Sequence, residues 1–166
     1  MTEAQTRHVP ASAPARTAPE PAASRTIDFH FNVDHRIGYA CRVVRKVLGA
    51  GRTVLVFSRD AARLARFDLA LWTFSALDFL PHVDAGSPLA DQTPVWLAHA
   101  PIESARDVLI LLDDAPAPQF EAWFPRFSRI IDIVSADTED RAQARVRFKT
   151  YRDAGWSPIA HEVGTP

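Results

Sequence analysis

Short apolar runs alternate with longer stretches of helical period along the chain from about residue 27 onward. The apolar runs, many of them rich in β-branched residues, predict strands at 27–33, 53–57, 95–98, 108–112 and 130–134. Apolar residues that recur every three or four positions predict helices at 36–48, after residue 60, at 118–127 and at 138–154. This alternation is typical of an α/β protein with a mainly parallel sheet.

The run at 108–112, VLILL, is the most hydrophobic of the predicted strands. A strand that is apolar on both faces needs cover on both, so we expect it at the centre of the sheet with helices above and below. The sequence therefore predicts a three-layer α/β domain in which helices flank a mainly parallel sheet.

Capping residues and glycines mark the ends of the predicted helices. Asp34 is a suitable N-cap for the first helix, and Ser58 or Asp60 for the second. Gly49 follows the first helix and Gly155 follows the last, where glycine commonly ends a helix. These signals delimit the helices independently of the apolar pattern.

Two segments lack a periodic apolar pattern. Residues 83–94 are rich in Gly, Pro and Asp and predict a mobile loop. Residues 1–25 are mainly Ala, Pro, Thr and Ser with scattered charges, a composition that cannot offset the entropy of ordering the backbone. We therefore expect a disordered Ala/Pro-rich tail at 1–25 and one globular domain at 26–160.

Composition narrows the class of protein. The 19 basic and 20 acidic residues give a net charge of −1, which disfavours direct binding of DNA or RNA through phosphates. Cys41 has no second thiol, which excludes a disulfide framework or a Cys-rich zinc site. The start lacks the pattern of a signal peptide and no apolar run approaches a membrane span, so we expect a cytoplasmic protein with no membrane contact.

Candidate catalytic motifs are incomplete. Asp113 and Asp114 end an apolar strand as the acids of P-loop NTPases do, but no Gly-rich loop ending in Lys and Ser or Thr accompanies them. Ser58 follows a strand without the glycines of a nucleophile elbow. The six histidines lack the spacing of a helical metal pair. We therefore expect a protein without intrinsic activity, cofactor or metal. The alternative is a small nucleotide-binding or hydrolytic enzyme with these two aspartates near its site.

Three large aromatic residues, Trp72, Phe74 and Phe79, lie at the end of the second helix and in the segment after it. A helix end rarely provides core space for three rings, and exposed aromatic patches on soluble proteins tend to bind partners. Core packing and a protein interface both fit the pattern. A third hypothesis uses Trp72 and Phe74 as stacking platforms for single-stranded DNA.

The last predicted helix carries a row of cations. Arg141, Arg145, Lys149 and Arg152 are spaced at i+4, i+4 and i+3, which places them on one face. The spacing puts Arg147 off this row and predicts that Ala142, Val146 and Phe148 face inward. A face with four cations suits an acidic peptide or a carboxylate terminus, although a plain solvated face fits the spacing as well.

Several segments together resemble one known family. They are LVFSRD (55–60), ALW (70–72), FLPH (79–82), VWLA (95–98), DVLI (107–110) and RFKTYRDAGW (147–156). In this order and at these separations they are similar to the chi subunit of bacterial DNA polymerase III, from about residue 26 to 156. The resemblance implies a Rossmann-like domain without catalysis that links the clamp loader, through the psi subunit, to single-stranded-DNA-binding protein.

The resemblance also implies which residues bind the two partners. Trp72 and Phe79, with Phe74 beside them, match positions used for psi and for a repair helicase that competes for the same surface in some bacteria. The pocket for the acidic, Phe-ending tail of single-stranded-DNA-binding protein is expected to contain Val134, Arg145, Phe148 and Lys149, with Arg152 and Gly155 nearby. Phe148 stands where Tyr is expected in the family, which removes a hydroxyl from that pocket.

Overall fold

Seven parallel strands form one sheet in the computed structural model, which describes residues 25–77 and 79–164. The strands are β1 (Thr26–Val33), β2 (Val54–Phe57), β3 (His82–Asp84), β4 (Val95–Ala98), β5 (Val108–Leu111), β6 (Arg129–Ser135) and β7 (Ser157–Glu162). Their order across the sheet is β3-β4-β2-β5-β6-β1-β7. The predicted tail at 1–25 lies outside the described residues, except for Arg25.

Helices cover both faces of the sheet, as predicted. They are α1 (Arg36–Gly49), α2 (Ala61–Thr73), α3 (Phe120–Trp123) and α4 (Thr138–Asp153). The first two pack on one face, and the last two on the other. The three-layer, Rossmann-like α/β fold is confirmed. None of the described helices is long and apolar enough to cross a membrane.

Strand β5 lies fourth of the seven strands, and all four of its residues are buried. Its side chains alternate between the layers, because successive residues of a strand point to opposite faces. Val108 and Ile110 join the core beneath α1 and α2, whereas Leu109 and Leu111 join the core beneath α3 and α4. The prediction of a central strand is confirmed.

The caps of the first two helices differ from the prediction in one case. His35, rather than Asp34, caps α1, and its Nδ1 accepts a hydrogen bond from the Gly38 amide at 3.1 Å. Asp60 caps α2 and accepts from the Arg63 amide at 3.0 Å. An imidazole nitrogen therefore takes the acceptor role that the sequence assigned to a neighbouring carboxylate.

Three element predictions were wrong. Strand β7 was missed, because its sequence SPIAHE is mostly exposed and contains a proline. The segment predicted as a loop at 83–94 contains the end of β3 and a 3₁₀ turn, Ala90–Gln92. The helix predicted at 118–127 is only α3 followed by a second 3₁₀ turn, Phe124–Arg126, which has Pro at its start.

The predicted inward face of α4 was correct for Phe148, which packs against the core, and wrong for the other two residues. Ala142 and Val146 are exposed, whereas Ala144, Arg147 and Tyr151 are buried against the sheet. The error arose because an arginine was expected to face solvent and a valine to face the core. Arg147 faces the core instead, because it has a buried partner there.

His30 lies on β1, and its side chain points to the face of the sheet opposite to α4. There it belongs to a small polar cluster. Its Nδ1 is 2.7 Å from the Tyr39 hydroxyl, and its ring lies edge-on to that of His161. Burial, reinforced by the positive charge of Arg129, lowers the pKa of His30 from 6.5 to about 4. The folded protein therefore binds a proton at His30 less readily than the unfolded chain does.

We expect His30 to make the protein less stable as pH falls from 6.5 to 4. In that range the unfolded chain takes up a proton at this position and the folded protein does not, so acid favours unfolding. The measurement is the urea midpoint of the native protein and of His30→Gln at several pH values. The native protein should lose more stability than the variant. Equal losses in both would contradict the assignment. The matched control is His99→Gln, which replaces an exposed histidine after β4, away from this cluster.

Candidate functional site

A cavity of about 330 Å³ opens between α4 and the strands β1 and β7. Its walls are apolar, and they come from β1, β6, β7 and the inner side of α4. The apolar lining residues are Phe29, Phe31, Val134, Ala144, Phe148 and Ala160. The remaining lining residues are the four cations Arg141, Arg145, Lys149 and Arg152. We call this cavity and its cationic rim the basic groove.

The apolar wall owes its shape to large rings beside small side chains. Phe29 is buried, and its ring centroid lies 5.2 Å from that of Phe148. Ala144 and Ala160 line the same cavity and fill little of it. A hollow of this kind suits an apolar ring, because a ring removes a large area from water at a small entropic cost.

Acidic groups in the described part of the chain leave most of the positive charge on the rim unpaired. Within residues 25–77 and 79–164, Arg141, Arg145 and Lys149 form no ion pair, and all three are exposed. Arg152 has only a contact of 3.9 Å with Asp153, its neighbour in sequence. The rim therefore presents positive charge to solvent next to an apolar hollow.

Arg147 differs from these four cations, although it belongs to the same helix. Its guanidinium is 1% exposed and donates two hydrogen bonds to Asp132 on β6, at 3.0 and 2.9 Å. A third hydrogen bond, of 2.8 Å, goes to the carbonyl of Asp114. Burial raises the pKa of the Asp132 carboxyl, against the opposing effect of Arg147. This pair fixes α4 on the sheet and so sets the direction in which the rim faces.

The crevice at the carboxyl ends of the strands contains an internal network of charges. In open α/β sheets this crevice is the usual place for a ligand. Here Arg36 and Arg63 donate to the two carboxylate oxygens of Asp114 at 3.0 and 2.9 Å, and both donate to the Leu112 carbonyl. Arg36 also pairs with Asp140. Partial burial would raise the pKa of Asp114, but the hydrogen bonds from the two arginines lower it.

Asp113, the other acid of the enzyme hypothesis, is also held by internal partners. It accepts hydrogen bonds of 2.8 Å from the Ser58 hydroxyl and from the Arg59 amide.

The single cysteine is also enclosed. Cys41 is buried in the core, and burial raises the pKa of its thiol to about 11. The side chains of Asp113 and Cys41 are therefore both enclosed by the protein interior.

A second candidate surface lies at the end of α2. Trp72 is 55% exposed and Phe79 is 66% exposed, and their ring centroids are 5.3 Å apart. Phe74 is half-buried and packs on the core beneath α1 and α2. Leu69 and Leu77, which sequence reasoning missed, add exposed apolar area in the same segment of chain. We call Leu69, Trp72, Leu77 and Phe79 the aromatic patch.

His82 packs against the aromatic patch on its buried side. Its buried ring lies 4.8 Å from the ring of Trp72. Its Nδ1 is 2.6 Å from the Leu80 carbonyl, and its Nε2 is 2.9 Å from Asp68 on α2. The imidazole is thus held by a hydrogen bond at Nδ1 and lies close to Asp68 at Nε2, and it packs against Trp72.

The fold and these two surfaces define a Rossmann-like α/β protein with sites suited to binding other molecules at its exterior. A sequence profile described as DNA polymerase III chi subunit, HolC, matches residues 25–158. The chain belongs to this family.

Three relatives, each named DNA polymerase III subunit chi, are similar over most of their length. The Pseudomonas aeruginosa protein is 34% identical over 132 residues, which is 77% of this chain and 87% of the relative. The Haemophilus influenzae protein is 31% identical over 128 residues, 75% and 85% respectively. The Escherichia coli protein is 31% identical over 119 residues, 70% and 78% respectively.

Proposed function

We propose that this protein is a non-catalytic accessory subunit of DNA polymerase III that joins the clamp loader, through psi, to the acidic C-terminal tail of single-stranded-DNA-binding protein. Membership of the chi family supports a role in the polymerase assembly. The observation that carries the finer proposal is the row of exposed cations beside an apolar hollow.

The basic groove has the chemistry required by an acidic peptide that ends in Phe. The hollow formed by Val134 and Phe148 takes the terminal ring. Arg145 binds the terminal carboxylate through two parallel hydrogen bonds, a geometry that Lys cannot reproduce. Lys149 attracts the acidic side chains as a point charge. Because these cations are exposed, affinity should be modest and should fall with added salt.

The aromatic patch is the proposed site for psi, and for a repair helicase in bacteria where one competes for this surface. Trp72 and Phe79 supply exposed rings, and the Trp72 ring packs against His82. Aromatic residues of this kind contribute much of the binding energy at protein interfaces. Phe74 supports the site from the core side, since it is half-buried.

Calorimetric titration with a synthetic acidic peptide ending in Phe tests the tail-binding proposal. Saturable binding that weakens with salt supports it. Absence of binding together with saturable binding of a nucleotide would favour the enzyme hypothesis instead. Binding of a labelled oligonucleotide without a protein partner would favour the hypothesis of direct single-strand binding.

We expect Trp72→Ala to weaken the psi contact by at least about thirtyfold, because truncation of a dominant aromatic residue at an interface costs about 2 kcal/mol or more. Peptide affinity at the basic groove should stay unchanged. The measurement is a pulldown with psi beside a peptide titration of the same sample. Val146→Ala, which removes exposed apolar area on α4, is the matched control. Loss of both activities together would indicate misfolding.

A further inference from the structure

The outer edge of β7 borders the basic groove. This strand is last in the sheet, and no described strand pairs with its outer side. Ala160 of β7 also lines the cavity, opposite the cations of α4. The groove is therefore bounded by a positively charged helix on one side and by a free strand edge on the other.

The hydrogen bonds between β1 and β7 show which backbone groups of β7 face outward. The amide of Ser157 donates to the Arg25 carbonyl at 2.8 Å, and the amide of Val163 donates to the Phe31 carbonyl at 2.9 Å. In a parallel ladder, alternate residues of a strand bond to the same neighbour. Ala160 and Glu162 lie at the intervening positions of β7. Their amides and carbonyls therefore point away from β1.

We infer that the acidic tail peptide binds as an additional β-strand on the free edge of β7, with its Phe side chain in the apolar hollow. This inference rests on the proposed function and specifies how the ligand lies. The peptide backbone pairs with the outward amides and carbonyls of Ala160 and Glu162, and alternate acidic side chains face α4.

The dimensions of the groove favour an extended ligand. The cations run from Arg141 to Arg152, eleven residues of helix, or about 16 Å at 1.5 Å per residue. About five residues of extended chain cover that length. Strand β7 has six residues and so matches it. An extended peptide also carries unpaired backbone groups, which a strand edge satisfies and side-chain cations alone do not.

Features that protect sheet edges are only partly present on β7. Pro158 removes one outward amide, and proline is a common means of blocking unwanted strand pairing. The amides of Ala160 and Glu162 remain available further along the strand. Pro158 still offers its outward carbonyl as an acceptor, so the whole strand can pair, and only the outward donors are confined to the half of β7 that carries Ala160, the residue that lines the groove.

The test is a backbone N-methyl scan of a six-residue acidic peptide that ends in Phe with a free carboxylate, titrated into the full chain. Methylation removes one amide donor without changing side-chain charge. We expect an alternating pattern, in which every second methyl group weakens binding by about fivefold or more and its neighbours change it by less than about twofold. A scan without alternation overturns the inference.

A protein variant tests the same contact from the other side. Ala160→Pro removes the outward amide but no bond to β1, and it should weaken the unmodified peptide by about fivefold. Ile159→Ala keeps every outward amide and changes a side chain on the other face of β7, so it is the control. If Ala160→Pro lowers the thermal midpoint, the peptide scan decides alone.

The same experiment distinguishes failure of the edge contact from failure of the proposed function. A peptide that binds, and that loses affinity in Arg145→Ala, supports tail binding in the basic groove whatever the scan shows. With such binding, a scan without alternation refutes only the strand addition. A peptide that does not bind at all refutes both.

Discussion

Arg147→Ala should lower the free energy of unfolding by about 3–5 kcal/mol, which is the usual cost of removing one partner from a buried ion pair. The substitution leaves the Asp132 carboxylate buried, with neither of its two hydrogen bonds from the guanidinium. It also removes the donor to the Asp114 carbonyl. Urea denaturation followed by circular dichroism measures the loss.

Arg145→Ala is the matched control for this prediction, because it removes an arginine two positions away on the same helix. Arg145 is exposed, so the free energy of unfolding should change by no more than about 0.5 kcal/mol. A double replacement, Asp132→Leu with Arg147→Met, should recover most of the stability, since an apolar pair can replace a buried ion pair. A loss below about 1 kcal/mol in Arg147→Ala would show that the pair does not anchor α4.

Arg145→Ala should weaken binding of the acidic peptide by at least about tenfold, in contrast to its small effect on stability. Charge-assisted hydrogen bonds contribute about 1.5–3 kcal/mol each, so loss of a bidentate contact accounts for a change of this size. Arg145→Lys keeps the charge but not the paired geometry and should give an intermediate affinity. Calorimetric titration at low and moderate salt measures both variants.

Arg66→Ala controls for the general effect of removing one positive charge. Arg66 is exposed on α2, away from the basic groove, and lines the crevice at the carboxyl ends of the strands. Peptide affinity should hardly change in this variant. If Arg66→Ala and Arg145→Ala weaken the peptide equally, the groove attracts acidic ligands only through net charge, and the assigned contact is wrong.

The sequence predicted the central part of the sheet because those strands are apolar on both faces. The buried runs of β2 and β5 have no polar interruption, so their pattern was unambiguous. Strand β7 lies at an edge, where most side chains are exposed and no apolar run is required. Its pairing with β1 depends on backbone hydrogen bonds, which leave no signature in the sequence.

The cationic row on α4 was predictable because helical spacing alone sets which residues share a face. The inward face was not, since Arg147 enters the core only because Asp132, fifteen residues earlier, is buried on β6. Local pattern favoured Val146 for the core, and Val146 is exposed. A buried charge becomes predictable only when its distant partner is known.

The apolar hollow could be anticipated only through the family resemblance, and then only in part. Val134 and Phe148 were named from that resemblance, and both line the cavity. Phe29, Phe31 and Ala160 line it as well, but β1 and β7 lie more than a hundred residues apart in the chain and meet only through the strand order. Spacing along the sequence does not indicate that these two strands are neighbours in the sheet.

The aromatic patch and the basic groove lie on opposite faces of the sheet, one on α2 and the other beside α4. Partners bound at the two surfaces would therefore approach from opposite faces of the sheet. A protein held at one surface brings the second contact to an effective concentration of about millimolar when the connection is short and flexible. Under the proposed function, weak and rapidly exchanging binding of the acidic tail is then sufficient, because avidity retains the assembly while each individual tail dissociates and is replaced.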